Sequence, residues 1–370
     1  MIAYVAISAF FMTLFGMPTL IKVAKLKHFV DEPGEDRKIH HRSIPTIGGV
    51  MIFISVFFNV LFWAGFTGAE ETFDFSTHPL MGACLVLIFF MGLKDDLIGM
   101  SPSKKLLIHL FVGFALTSIG GYRIESFGGL FGVNELPENL SIAFSIFVYI
   151  VIVNAWNLID GLDGLAAGFT VIAMSAFAYW FLSVGASSEA LLAISTAGTM
   201  LGFLVFNFAP ARIFMGDCGS LFIGVIGYVL ATSVISTPTE AIPDHLLLVS
   251  KEVLVMGVLS YPLVDTLRVF MLRAARGISP FHPDRNHLHH RLMMQFGTHS
   301  KTAISVYAYS IVMILLSFTT PYFRGTLPME ILFIGLLTLA FGLFYPTLRM
   351  TRNRHLQSVS EVRQKVSIGQ

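Results

Sequence analysis

Eleven apolar runs divide this chain, at residues 1–21, 46–66, 79–93, 106–120, 140–157, 165–184, 190–208, 221–236, 246–270, 302–319 and 329–345. A helix rising 1.5 Å per residue needs about twenty apolar residues to cross a hydrocarbon core of roughly 30 Å. Of the 370 residues, 55% are hydrophobic and only 13% charged, whereas a soluble domain usually carries about a quarter charged residues. The runs therefore read as membrane helices. The expected fold is an all-α polytopic membrane protein with about 11 transmembrane helices, in which residues 1–348 form one domain and 349–370 a cytoplasmic polar tail. The third run is short and the fifth ends in acidic residues, which are the two weak points of that count.

Lys and Arg set the sidedness of a membrane protein, because positive loops stay on the cytoplasmic side. The loops after the first, third, seventh, ninth and eleventh runs hold 21 of the 24 Lys and Arg, leaving Arg123, Lys251 and Arg324 on the opposite side. The N-terminus is thus expected outside and the C-terminus in the cytoplasm. Cys84 and Cys218 make no disulfide framework. The first run lacks a basic flank and a small-residue cleavage site, so it is expected to stay as a membrane helix. A net charge of +1 gives no sign of a nucleic-acid partner.

Four polar clusters interrupt this apolar chain, all on the predicted cytoplasmic side. The most informative is residues 154–164, Asn-Ala-Trp-Asn-Leu-Ile-Asp-Gly-Leu-Asp-Gly. An ionisable side chain within hydrocarbon costs at least about 2.5 kcal/mol, so such a cluster reads as functional unless it merely caps a helix. Asn154, Asn157, Asp160 and Asp163 recur at every third residue, a spacing that would place neighbours on one face of a helical segment and could converge them on one ligand. Lys94-Asp95-Asp96 leaves the third run and Lys105 precedes the fourth; adjacent carboxylates can hold a cation, take a proton or orient a lysine that binds phosphate. Phe214-Met-Gly-Asp217-Cys-Gly-Ser220 enters the eighth run, where glycines and a helix start suit phosphate and Asp217 suits Mg²⁺, which uses only one or two carboxylates. Asp217 and Ser220 could equally be helix caps.

The densest cluster is 281–291, Phe-His-Pro-Asp-Arg-Asn-His-Leu-His-His-Arg. Zinc is the competing reading for His287, His289 and His290, but no Cys lies nearby, and Arg285 and Arg291 favour an anion over a cation. The N-terminal inward loop adds Lys38, His40, His41 and Arg42 before the Gly48-Gly49 pair, a set that suits a lipid phosphate as well as simple retention.

Together, Asp95-Asp96, the 154–164 motif, Phe-Met-Gly-Asp-x-Gly-Ser and His-Leu-His-His-Arg, in this order, resemble the polyprenyl-phosphate N-acetylhexosamine-1-phosphate transferases, glycosyltransferase family 4. The histidine loop looks more like the WecA and TagO branch, which uses UDP-GlcNAc, than the MraY branch, which uses UDP-MurNAc-pentapeptide; Thr46 before the Gly pair departs toward the latter. The resemblance implies transfer of a sugar 1-phosphate from a UDP-sugar to a polyprenyl phosphate such as undecaprenyl phosphate, with UMP released. It implies Mg²⁺, with Mn²⁺ as the alternative, in a bacterial cytoplasmic (inner) membrane, and it admits a homodimer. Carried over, it makes Asp217 the metal ligand, with Asn157, and puts Phe214 and Asp163 at the uracil with Asp160 in support. Asp95 and Asp96 would orient or deprotonate the lipid phosphate, and Lys105, Lys38 and Arg42 would bind its charge. His287, His289, His290 and Arg291 would contact the sugar and its diphosphate. A transporter is the reading from another class; it predicts polar residues deep within several helices, or paired broken helices in two halves.

Overall fold

A computed structural model describes residues 2–27, 29–31, 44–66, 78–275, 277, 287–323 and 326–345. Lys38, Arg42, Arg285 and the tail 349–370 lie outside these described residues. Helices dominate: α1 Ile2–Leu26, α2 Gly48–Ala64, α3 Pro79–Ile98, α4 Pro102–Phe114, α5 Glu138–Ile159, α6 Leu165–Ser183, α7 Ser187–Asn207, α8 Gly216–Ser236, α9 Lys251–Val258, α10 Ser260–Ala274, α11 Leu288–Phe296, α12 His299–Ser317, α13 Thr320–Phe323 and α14 Met329–Gly342. Each of the eleven apolar runs holds at least one of them. Six (α1, α5, α6, α7, α8 and α12) are long and apolar enough to cross a membrane, and α9 with α10 adds a seventh if the bent pair is one span; α2 and α14 are shorter apolar helices. The chain is an all-helical membrane protein.

Three features depart from the expectation. Val30–Asp31 (β1) and Ile44–Pro45 (β2) pair antiparallel, with Val30 opposite Pro45. The ninth run is not one rod, since α9 and α10 meet at 75°. Pro262 has no N–H to donate to the Val258 carbonyl four residues back, so the α9 ladder cannot run on through this point. Finally, part of the histidine cluster is helical, because Leu288 opens α11.

α8 is the centre of the bundle, buried almost continuously from Cys218 to Val234. It packs against α2, α3 and α5. Close approach is possible because small residues line the contacts. A Cβ on Gly49 would lie 2.2 Å from the Gly219 nitrogen, and one on Gly92 would lie 2.6 Å from the Cys218 Cα. The start of α8 is thereby wedged between the first turn of α2 and the last turns of α3, which decides where the polar groups of these ends meet.

Candidate active site at the start of α8

A helix start leaves four N–H groups without partners inside the helix. At α8 two of them are taken by another helix: Asp217 N–H and Cys218 N–H donate to the two oxygens of Asp96 on α3, at 2.8 and 2.9 Å. Gly216, at φ +73°, makes this docking possible, since a Cβ there would stand 2.1 Å from the Thr46 carbonyl and 2.7 Å from Asp96 Oδ2. Asp96 therefore locks α3 to α8 with both oxygens engaged on backbone N–H groups, while its neighbour Asp95 engages a side chain of the cleft.

Asp95 meets Lys105. This lysine, in the first turn of α4, donates to Asp95 Oδ2 and also to Asp217 Oδ2 at 2.9 Å. The other Asp217 oxygen accepts from Asn157 Nδ2 on the last turn of α5 at 2.8 Å, and the same amide reaches Ser220 Oγ at 2.9 Å. Four helix ends thus bring two carboxylates, an ammonium and a carboxamide to one point. The cluster is open, for the side chains of Lys105, Asp95 and Asp217 keep 28%, 16% and 26% of their exposure. Two carboxylate oxygens converging on one cation make a hard, anionic oxygen set, the kind Mg²⁺ takes. Among the described residues no three His, Cys, Asp or Glu side chains are grouped to hold a metal ion, but Mg²⁺ asks for fewer protein ligands than that.

The 154–164 motif divides here. α5 ends at Ile159 and Gly164 turns the chain at φ +77°, so the every-third-residue series does not continue on one face. Asn154 Nδ2 bonds back to Ile150 O within α5. Asn157 enters the cluster just described. Asp160 caps the end of α5 near Asp96, Asp163 and Asp217; loss of water, reinforced by those carboxylates, holds its own carboxyl well above the usual range. Asp163, nearly buried, accepts from Ala211 N–H at 3.0 Å and lies 3.3 Å from His299 Nδ1. It secures the loop to α12 and to residue 211. The expected single helix face for all four is corrected accordingly: the helix ends before the third member is reached.

Phe214, half-buried, is fixed by its backbone. Its N–H donates to Pro45 O on β2, and its carbonyl accepts from Gly48 N–H, at 2.8 and 3.0 Å. The small strand pair thus aligns the first turn of α2 with residue 214.

A second polar centre lies on the other side of the 160–164 loop. Asp265, wholly buried in α10, accepts from Leu288 N–H at 2.6 Å and from His287 Nδ1 at 3.2 Å, and His289 Nδ1 lies 3.5 Å from the same oxygen. His289 also faces the loop, since a Cβ on Gly161 would be 3.0 Å from its Nε2. His290 and Arg291 follow on α11, both half-buried. Asp265 is the functional candidate that sequence reasoning passes over. Its signal is an acid deep inside the apolar run 246–270, farther from the run's polar start than Glu252, which is costly without a role.

Fold and site together define an all-helical, multi-pass membrane protein whose helix ends assemble an acidic, lysine-bridged centre. The chain belongs to glycosyl transferase family 4. That family's model matches residues 78–236, which span α3 to α8 and carry Asp95, Asp96, Lys105, Asn157 and Asp217. A Bacillus subtilis (strain 168) protein named "Probable undecaprenyl-phosphate N-acetylglucosaminyl 1-phosphate transferase" is 33% identical over 295 residues, covering 78% of this chain and 76% of its own. A decaprenyl-phosphate N-acetylglucosaminephosphotransferase of Mycolicibacterium smegmatis is 32% identical over 74% of this chain and 70% of its own. The undecaprenyl-phosphate alpha-N-acetylglucosaminyl 1-phosphate transferase of Escherichia coli (strain K12) is 29% identical over 80% and 77%.

Proposed function

We propose that this protein transfers GlcNAc-1-phosphate from UDP-GlcNAc to undecaprenyl or another polyprenyl phosphate, releasing UMP and leaving a lipid-linked sugar diphosphate. The relatives' names support the donor and acceptor. The observation that carries the chemistry is the meeting of Asp95, Asp217 and Lys105 from three helix ends. Phosphoryl transfer needs positioning and charge neutralisation more than covalent help. Lys105 is a point charge already held between two carboxylates, and a phosphate entering the cleft takes the place of one of them. The lipid phosphate, with a second pKa near ~6, is largely an anion at neutral pH and needs no strong base. Asp95 then keeps Lys105 and the phosphate in register, and the oxygen attacks the sugar-linked phosphorus directly.

Asp217 and its partner Asn157 are the residues that would hold Mg²⁺, and the ion would supply charge neutralisation at the diphosphate. Asp160, Asp163 and Phe214 form the nucleotide side of the cleft in this reading, with His287, His289, His290 and Arg291 on the sugar diphosphate. Lys38 and Arg42 join Lys105 at the lipid phosphate. The reading includes eleven spans, an outer N-terminus, an inner C-terminus and a cytoplasmic-face site in a bacterial inner membrane, which the distribution of Lys and Arg supports. Its test is UMP release by the purified protein with polyprenyl phosphate, offered UDP-GlcNAc, other UDP-N-acetylhexosamines and UDP-MurNAc-pentapeptide in turn. UDP-GlcNAc is expected to be preferred and EDTA to stop the reaction until Mg²⁺ is restored. No UMP from any donor would defeat the reading.

A further inference from the structure

Asp265 has no part in the reaction as drawn, yet it is wholly buried inside α10. A carboxylate in such a place persists only with donors around it. Its donors come from a single turn of another helix: the Leu288 N–H, which opens α11, and His287 Nδ1 just before it, while His289 Nδ1 stands 3.5 Å from the same oxygen as His287, close enough to pair in charge but not hydrogen-bonded to it. The two imidazole rings lie nearly parallel, with centroids 5.5 Å apart and 12° between their planes. Both turn the Nδ1 edge toward Asp265 Oδ2, at 3.2 and 3.5 Å. The opposite edge of His289, its Nε2, faces Gly161 in the 160–164 loop.

We propose that Asp265 is a positioning residue that sets the tautomer and direction of His287 and His289. The proposal rests on the reading of those histidines as contacts to the donor sugar and its diphosphate. An ionised carboxylate only accepts hydrogen bonds, so a neutral imidazole beside it carries its proton on Nδ1 and leaves Nε2 as an acceptor. Nε2 of His289 then suits a hydroxyl or an amide N–H of the sugar better than a phosphate oxygen. Asp265 thereby contributes to recognition of the sugar without touching it. Because it works from α10, just past the 75° break with α9, that bend is what brings the carboxylate under the start of α11.

Asp265→Asn isolates this role. The amide oxygen still accepts the Leu288 N–H, so α11 stays docked, but the amide N–H₂ now faces Nδ1 and drives the proton to Nε2. Selective ¹⁵N-histidine labelling of the detergent-solubilised protein reads the tautomers directly, with or without turnover. The wild type is expected to show two histidines protonated on Nδ1 that change to the Nε2-protonated form in D265N; identical spectra would overturn the proposal. In the UMP assay, KM for UDP-GlcNAc is expected to rise about 10- to 100-fold, by analogy with the loss on removing the outer partner of a metal-bound imidazole, with KM for polyprenyl phosphate unchanged. Adding D265N to the double variant His287→Gln/His289→Gln is expected to cost little more, because the residues it acts through are gone. A fully additive loss would show that Asp265 acts structurally instead. A wild type that releases no UMP would defeat the functional reading alone, and the spectra would still decide the clamp.

Discussion

Two of the polar clusters in this bundle are built on opposite terms. Between α1, α2 and α7, Ser8 Oγ donates to Asn59 Oδ1, Asn59 Nδ2 donates to Ser55 O at 2.8 Å, Ser55 Oγ and Thr199 Oγ1 share a bond of 2.8 Å, and Trp63 Nε1 donates to Ser8 at 2.9 Å. Every group there is neutral, and Ser55, Asn59 and Thr199 are fully buried. Around the start of α8, by contrast, Asp95, Asp217 and Lys105 are charged and part-exposed, and satisfy one another across an open cleft. The first network is closed, so it can only hold helices together, which in membranes is worth about 0.6 kcal/mol per bond on average. The second can exchange partners. Between these two clusters polarity divides by charge and access: closed neutral bonds fix the helices, and the open charged centre is where a phosphate can enter.

The sharpest way to break this contrast is at Asp217. Asp217→Asn keeps the shape and removes the charge, so UMP release is expected to fall about 10²- to 10³-fold while the thermal midpoint stays put. Retained turnover would take Asp217 out of the chemistry. Lys105→Met removes the shared cation; a charged hydrogen bond worth about 1.5–3 kcal/mol corresponds to a rise of about 10- to 100-fold in KM for polyprenyl phosphate, measured with UDP-GlcNAc saturating. Asp96→Ala sharpens the distinction within the site. It frees the Asp217 and Cys218 N–H groups, so denaturation should show a loss of about 1–2 kcal/mol, with lowered activity as its consequence. An equal loss of activity at unchanged stability would move Asp96 from scaffold to chemistry. The smallest effect is expected in the closed network, where Asn59→Leu should change stability by about 1 kcal/mol or less and leave turnover alone.

Much of the fold can be read from hydropathy, because a segment that must bury its backbone polar groups in lipid has few options besides a helix. Each apolar run accordingly holds a helix. The break at Pro262 is harder to see, since the run 246–270 is apolar on both sides of it and only the missing N–H marks the bend. α11 is harder still. Its start is capped by Asp265 from a different helix, a contact that no local pattern contains. In the site, Asp95, Lys105, Asn157 and Asp217 are each visible as polar residues at the ends of apolar runs, and they do meet. The regular spacing of Asn154, Asn157, Asp160 and Asp163 misleads, because periodicity describes a helix only as far as the helix runs. The separate duties of Asp95 and Asp96 are invisible in sequence: adjacent residues on a helix point about 100° apart, but which of them meets α8 depends on how α3 packs.

The central claim, direct transfer between donor and lipid phosphate at the Lys105 centre, is tested most directly with UDP-GlcNAc labelled with ³²P in the sugar-linked phosphate. With undecaprenyl phosphate and Mg²⁺ present, the label is expected to move into the lipid extract in step with UMP release. Without the lipid acceptor, no label should remain on the protein. A labelled protein that survives denaturation in the absence of acceptor, or UMP release with no label in the lipid, would contradict the account.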